Sequence, residues 1–453
     1  MILKNPFGTD GIRGQVNIYP ITAEFMLSIG RALSFFFSRN QNRKILVGKD
    51  TRLSNNMLEH ALSAGICSMG TKVCNLGLLP TSGIAYLTRK MNADAGIMIS
   101  ASHNKAHDNG IKIFNSFGFK LNRIQELKIL DLALKPIFQN PLHCQIGKTT
   151  YIDHAEKEYL THIKNSLPLN FNLKGFKIVL DCSNGSAYKI GPRLLEELGA
   201  RILLIENKPN GLNINHDTYF PYIDTIRSLI RKESADLGII LDGDADRLVV
   251  IDEIGNLVSG DVILVLFANY LKNQKILEKN TLVCTKMSTL SIEQCLKQNK
   301  INTIRTQIGD RNVVEKLRIG GYSFGGEESG HFIFMNHSTT GDGLFSALML
   351  LNIIRNSRNS LSNLRKILNP IPRIIQNRFV KQQIPFKNLR KTSKLISEIE
   401  KELGATGRIF VRHSGTESSI RILIEGNNQI KINKMANQLA DQIVEESNVH
   451  SIN

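Results

Sequence analysis

The sequence predicts an α/β protein of several domains, three of them alike and a fourth, smaller one of α+β type. Two observations carry that expectation. Three stretches, KILVGKDTR (44–52), KIVLDCSNG (177–185) and TLVCTKMST (281–289), share one plan, a short run of Ile, Leu and Val ending in a polar loop. They start roughly a hundred residues apart, as related domains in tandem do. Beyond residue 369 the pattern changes to an alternation of helix-like and strand-like segments.

The elements follow in order. NNMLEHALSAGICSMG after the first run and SAYKIGPRLLEELGA after the second are helix-like, so strand, loop and helix alternate as in βα units whose helices cover a sheet. DHAEKEYLTHIKNSL (153–167) is helix-like and leads from the first domain into the second. A break at NPIPR (369–373) separates the last part, where helix-like KNLRKTSKLISEIEKELG alternates with strand-like GRIFVR and IRILIEG. The expected domains are residues 1–152, 153–256, 257–368 and 369–453.

The chain of 453 residues is too long for one core. Its apolar content of 42% is that of a soluble globular protein. No apolar run approaches the roughly 18 residues that span a bilayer; VILVLFA (262–268) is among the longest. MILKNPFGTDG has no charged-then-apolar signal region, so no export and no membrane partner are expected. Six cysteines without CxxC spacing argue for reduced thiols and a cytoplasmic location, against disulfides or a zinc site. The net charge of +17 invites a nucleic-acid reading. That reading needs Lys and Arg clustered among aromatics. Here they are spread along the whole length, without a basic tail or any Trp, so no nucleic-acid partner is expected; the excess charge would still attract anionic substrates.

Four loops carry candidate chemistry. In DGDADR (242–247), between apolar LGIIL and LVVID, Asp242, Asp244 and Asp246 stand at i, i+2 and i+4, which in an extended chain puts three carboxylates on one side. Such carboxylates repel unless a hard cation lies between them, and oxygen ligands suit Mg²⁺. A calcium EF-hand is the rival: the three aspartates match its first ligand positions and Glu253 its twelfth. The required sixth-position Gly is Arg247, however, and strand-like runs flank the loop. A solvated acidic turn is a third reading, disfavoured by the apolar flanks.

ISASHNKAHDNGIKIF (99–114) exposes Ser102, His103 and Asn104 between two apolar runs. A hydrolytic serine would want a GxSxG turn, which SASHN lacks. A phosphoryl-accepting serine needs exposure, nearby positive charge, which His103 and Lys112 can supply, and a metal. Taken alone, a plain turn with local Ser and Asn bonding is the better reading. GGEESGH (325–331) sets two carboxylates, a hydroxyl and an imidazole after a Gly pair, a weak signal for reading sugar hydroxyls. In RHSGTESSIR (412–421), Ser414, Gly415 and Thr416 can form a nest of backbone N–H groups, and Arg412 and Arg421 add cationic forks suited to phosphate; a plain hairpin turn is the alternative.

A nucleophile, a metal loop, a hydroxyl reader and a phosphate clamp together describe a phosphosugar enzyme. In that order FGTDGIRG (7–14), GKDTR (48–52), ISASHN with DNGIK, DGDADR, GDR (309–311), GEESGH, TTGDG (339–343) and RHSGTE resemble the α-D-phosphohexomutases over nearly the whole length, and FGTDGIRG with SASHN resembles their glucosamine branch. The resemblance implies three similar α/β domains with mixed sheets and a smaller α+β domain around a central cleft. It implies Ser102 as a phosphoserine primed by a hexose 1,6-bisphosphate, with Asp242, Asp244, Asp246 and the serine phosphate holding one Mg²⁺. Arg13 and Arg247 would line the transfer site, with Lys112 and His103 close by. Glu327 and Ser329 would bind sugar hydroxyls, with His331 beside them. Arg412, Ser414, Gly415, Thr416 and Arg421 would clamp the phosphate not being transferred. The implied reaction interconverts glucosamine 6-phosphate and glucosamine 1-phosphate on the way to UDP-N-acetylglucosamine and cell wall. Phosphomannomutase or phosphoglucomutase activity, and a phosphatase using an aspartate of DGDADR, are the enzymatic alternatives. Relatives often form homodimers, although no interface is visible in the sequence.

Three departures from the family pattern stand out. Lys105 and Ser418 replace prolines, and Glu328 replaces Gln or Asn. Each lost proline loosens its loop at a cost of about 0.4–1 kcal/mol. No reacting group is lost.

Overall fold

The computed structural model describes residues 5–8, 10–37, 43–135, 139, 141–216, 222–369, 371–380, 384–413 and 419–449. Two compact units are present: Met1–Thr285 with Ile301–Ile367, and Lys286–Lys300 with Leu368–Asn453.

The first unit holds three mixed sheets. The first contains β1 (Ile12–Gln15), β2 (Lys44–Lys49), β3 (Lys72–Leu78), β4 (Ala95–Ile99), β5 (Asp108–Asn115) and β6 (Thr149–Tyr151) in the order β1-β5-β4-β2-β3-β6. Its parallel centre is built from unbroken apolar runs such as Ile45, Leu46 and Val47, as strands buried on both faces require. Helices α1 (Ala23–Phe36), α2 (Asn55–Ser68), α3 (Thr81–Lys90) and α4 (Arg123–Leu134) accompany it. Thr22 starts α1 by accepting from the Phe25 N–H, and Asn122 with Gln125 forms a reciprocal cap on α4. After α5 (Ala155–Asn165) comes a second sheet of β7 (Lys177–Asp181), β8 (Arg201–Ile205), β9 (Leu237–Leu241), β10 (Leu248–Asp252) and β11 (Leu257–Val258), ordered β11-β10-β9-β7-β8. The third is β13-β12-β14-β15, from β12 (Thr281–Thr285), β13 (Asn302–Thr306), β14 (Phe324–Gly326) and β15 (Phe332–Phe334). Its core includes Phe267, which meets Phe324 and Phe332 edge-on with ring centroids 5.8 and 5.4 Å apart.

In each sheet a strand that pairs antiparallel with its successor carries a chemistry-bearing loop at its carboxyl end: the serine loop after β4, the aspartate loop after β9 and the Glu327 loop after β14. Carboxyl ends of strands are where α/β sheets bind ligands.

The second unit is an antiparallel sheet β16-β18-β17, from β16 (Arg373–Phe379), β17 (Arg408–His413) and β18 (Ser419–Glu425). Ile420, Ile422 and Ile424 alternate onto one face, where they share a core with Ile399 and Leu403 of the helix Arg390–Leu403 and with Met435, Leu439 and Ile443 of the helix Gln429–Val449. Arg408 ties in the segment 286–300 by donating to the Lys286 and Ser288 carbonyls, while Glu425 accepts from the Arg408 Nε and the Leu290 N–H. The three α/β sheets and the final α+β unit are the fold class expected. Among the described residues no helix is long and apolar enough to cross a membrane, and all six cysteines are free thiols.

Candidate active site

β9 and β10 are antiparallel neighbours closing at Leu241 and Leu248, so DGDADR is the loop of a hairpin. The extended conformation assumed for the i, i+2, i+4 argument is not found. The chain turns, the Ala245 N–H donating to the Asp242 carbonyl at 2.9 Å with Ala245 in the left-handed region. Wrapping, rather than alternation, brings the carboxylates together. All three are buried, and one oxygen of each lies within 4.8 Å of the others. The EF-hand reading fails on the same geometry: strands flank the loop, and β10 carries Glu253 to Ser362, whose N–H it accepts at 3.2 Å.

Ser102 follows β4 and is only 1% exposed, where the sequence suggested exposure. The reason is tertiary. Gly243 of the aspartate loop packs so closely that a Cβ there would lie 2.8 Å from the Ser102 carbonyl, and Asn215 covers the same carbonyl with a 2.7 Å hydrogen bond. Ser102 has a φ of 52°, strained for a residue with a Cβ. Its Oγ donates to Asp242 Oδ2 at 2.9 Å and lies 3.4 Å from His103 Nδ1. Lys112, opposite Met98 in the β4–β5 ladder, buries its ammonium 2.7 Å from both Asp244 Oδ2 and Asp246 Oδ2 and 3.1 Å from Asp10.

Electrostatics separates these groups. Burial would lower Lys112, but Asp10, Asp244 and Asp246 override it and hold the ammonium well above its ordinary value. Burial likewise opposes ionisation of Asp246, which Lys112, His331 and Arg247 nonetheless keep well below the usual carboxylate range. Asp242 goes the other way: burial, then Asp246 and Asp244, push it up to about 8. Burial, with Arg247 and Arg13 adding repulsion, lowers His103 to about 3, so it is a neutral imidazole and not the positive charge expected of it. Asp244 Oδ1 and Asp246 Oδ1 are buried without a hydrogen-bond partner. Crowded carboxylates with two orphaned oxygens and one member forced towards protonation fit a hard divalent cation.

Arg13 of β1 pairs with Asp10, and Arg247 Nε lies 4.0 and 3.9 Å from Asp242 and Asp246. In the Glu327 loop, Glu327 Oε1 accepts from the Gly309 N–H at 3.0 Å, Ser329 and Glu328 are half-buried, and the buried His331 reaches back to Asp246 at 3.5 Å. Thus the serine, aspartate and Glu327 loops meet within the first unit. Arg412 and Arg421 belong to the second unit and are direct cross-strand partners in β17–β18. Like charges so paired repel unless an anion lies over them. Ser414, Gly415, Thr416 and Ser418 lie outside the described residues.

Several site residues were not assigned from sequence. Lys120 pairs with Asp10 and with Asp310 of the GDR motif, and Arg311 with Glu126. Thr81, at the start of α3, donates to Asp244 Oδ2 at 2.5 Å through its hydroxyl and to the Asp244 carbonyl through its N–H. Asp10, Asp50, Arg52 and Asp310 lie in the motifs FGTDGIRG, GKDTR and GDR, whereas Thr81 and Asn215 carry no signal in the sequence.

Known proteins similar to this chain point to one family. Residues 4–140, 157–255 and 259–370 match alpha/beta/alpha domains I, II and III of the phosphoglucomutase/phosphomannomutase family, and residues 360–442 match its C-terminal domain. A phosphoglucosamine mutase of Geobacter metallireducens is 46% identical over 444 residues, 97% of this chain and 98% of that protein. One from Citrifermentans bemidjiense is 44% identical over 447 residues, 98% of each. A Burkholderia thailandensis structure described as a phosphoglucomutase/phosphomannomutase family protein superposes with a TM-score of 0.83 at 21% identity, covering 98% of both chains. The chain belongs to the phosphoglucomutase/phosphomannomutase family, the α-D-phosphohexomutases.

Proposed function

We propose that this chain is a mutase interconverting glucosamine 6-phosphate and glucosamine 1-phosphate through a phosphoserine at Ser102 and a glucosamine 1,6-bisphosphate. The observation that carries the chemistry is the buried Ser102 Oγ, 2.9 Å from Asp242 of the carboxylate cluster, whose Asp244 and Asp246 hold the Lys112 ammonium at 2.7 Å. The choice of amino sugar rests on the relatives named phosphoglucosamine mutase. Its product would feed UDP-N-acetylglucosamine and cell-wall synthesis in the cytoplasm.

Asp242, Asp244 and Asp246, with the phosphate on Ser102, would hold one Mg²⁺, which supplies charge neutralisation at the phosphoryl oxygens. Phosphoryl transfer breaks the Oγ–P bond as a sugar hydroxyl oxygen bonds to phosphorus. The proton lost by that hydroxyl returns to Oγ, and we assign its relay to the neutral His103. Lys112, Arg13 and Arg247 add fixed positive charge around the group in flight. Glu327 and Ser329 bind sugar hydroxyls, with His331 beside them. Arg412 and Arg421, with Ser414, Gly415 and Thr416, hold the second phosphate. The bisphosphate then turns over, its other phosphate returns to Ser102, and the isomeric monophosphate leaves.

The test is Ser102→Ala in an assay of glucosamine, glucose and mannose phosphates, primed with glucose 1,6-bisphosphate. Turnover is expected to vanish, and mass spectrometry of the parent is expected to find one phosphate on the 99–114 peptide. Normal turnover in the alanine variant refutes the mechanism, and label passing to water favours a phosphatase. A preference for glucose or mannose phosphate refutes the substrate alone.

A further inference from the structure

The serine loop is organised by two side chains that touch none of the reacting groups. Arg52 is fully buried, and all five of its guanidinium N–H donors are used. Nε donates to Asp50 Oδ2 at 3.0 Å. Nη1 donates to the carbonyls of Lys105 and Asp108 at 2.6 and 2.9 Å. Nη2 donates to the carbonyls of Ser102 and Asn104 at 3.0 and 2.7 Å. The loop from 102 to 108 is therefore wrapped around one guanidinium through its backbone, whatever side chain stands at Lys105. From the other side Asn215, in a loop following β8, donates both Nδ2 hydrogens to the same Ser102 and Asn104 carbonyls at 2.7 and 2.9 Å. The Ser102 N–H is held as well: it donates to Ser100 Oγ at 2.8 Å, and that hydroxyl donates to Asp50 Oδ2 at 2.6 Å, the same oxygen that accepts from Arg52.

Taking Ser102 as the phosphoryl carrier, we propose that Arg52 and Asn215 are positioning residues, a two-sided clamp that keeps Ser102 in its strained left-handed conformation and so holds Oγ against Asp242. A serine with φ of 52° relaxes unless neighbouring bonds over-determine it. Both peptide groups flanking Ser102 are pinned by side chains here. Asn215 also makes the alignment a joint property of two sheets, since it comes from the part of the chain that carries the aspartate loop and lies 113 residues from Ser102. Lysine in place of Arg52 would keep the charge but offers three donors on a point cation instead of a planar fork of five, too few for four carbonyls and Asp50.

Asn215→Gly is the cleanest test. Asn215 has a φ of 52°, which glycine adopts without strain, so the substitution removes the two hydrogen bonds and leaves the backbone able to keep its course. In the full chain, primed with glucose 1,6-bisphosphate, kcat on glucosamine 6-phosphate is expected to fall by about tenfold to hundredfold. KM should stay within about twofold, because the clamp touches no substrate. The rate at which the bisphosphate phosphorylates Ser102, read by intact mass, should fall with kcat. Arg52→Lys is expected to reproduce the pattern, and it decides the matter if Asn215→Gly does not fold. Unchanged kcat per folded molecule, with or without a lower Tm, overturns the clamp, as does a loss confined to KM. If the primed parent protein neither carries phosphate on Ser102 nor turns over a sugar phosphate, the mutase reading fails and the clamp falls with it.

Discussion

Asp342 of the TTGDG motif is buried, and its carboxylate joins three partners. Oδ1 caps the helix Gly343–Ser357 by accepting from the Phe345 N–H at 2.9 Å; Oδ2 accepts from the Tyr159 hydroxyl at 2.8 Å and meets His337 Nε2 at 2.9 Å. Burial, the largest influence, would raise this carboxyl, yet His337, the Phe345 N–H and Tyr159 together hold it below its ordinary value. Asp342→Asn keeps the shape and the cap. Tyr159 can reverse its bond by donating to Ser82, 2.6 Å away, and His337 can move its proton to Nδ1 and donate to Ser166, 2.9 Å away. What is lost is the charge assistance of two bonds, about 1 kcal/mol each, so about 2 kcal/mol in total. Asp342→Ala also removes the cap and strands the Tyr159 and His337 groups, for about 5 kcal/mol. Because the folded pKa lies below the unfolded one, the stabilisation is complete above about pH 5 and is lost as pH falls below about 4. Urea unfolding of parent, Asn and Ala variants from about pH 8 down to about pH 3 should therefore show a steady gap that narrows only below about pH 4. An Asn variant as stable as the parent at pH 7, or a gap that widens on acidification, refutes the reasoning.

Thr81→Val removes the hydroxyl that orients Asp244 while preserving volume, and apparent Mg²⁺ affinity should fall by about tenfold to hundredfold; an unchanged Mg²⁺ titration by calorimetry would count against the metal site. Arg412→Gln should raise the KM for sugar phosphate about tenfold, with Tm unchanged or slightly higher because a like-charge pair is relieved; an unaltered KM removes Arg412 from the phosphate clamp. Gly243→Ala should cut turnover, because the added methyl would press on the Ser102 carbonyl and Asn215 at 2.8 Å each; full activity would mean that the two loops separate freely.

The architecture and the inventory of chemistry are legible in local composition. Apolar runs such as KILVGK and LGIIL specify buried strands through local composition, the NPIPR break marks the change to the α+β unit, and the polar loops between them name Ser102, the three aspartates, Glu327 and Arg412 without any knowledge of their neighbours. The tertiary structure decided how those groups behave. Ser102 and Asp242 are 140 residues apart in the chain, and only the approach of Gly243 and Asn215 turns an apparently exposed serine into a buried one against a carboxylate. The i, i+2, i+4 spacing placed three aspartate carboxylates side by side, and they do lie together, although a turn and not an extended strand gathers them. His103 read as a cation because imidazole titrates near neutrality in water, whereas burial beside Arg247 and Arg13 keeps it neutral here. Arg52 and Asn215 act on backbone carbonyls, and a bond to a carbonyl leaves no mark on the residue type that offers it. Local pattern records which groups a chain carries; desolvation and charge, which depend on neighbours distant in sequence, decide what those groups can do.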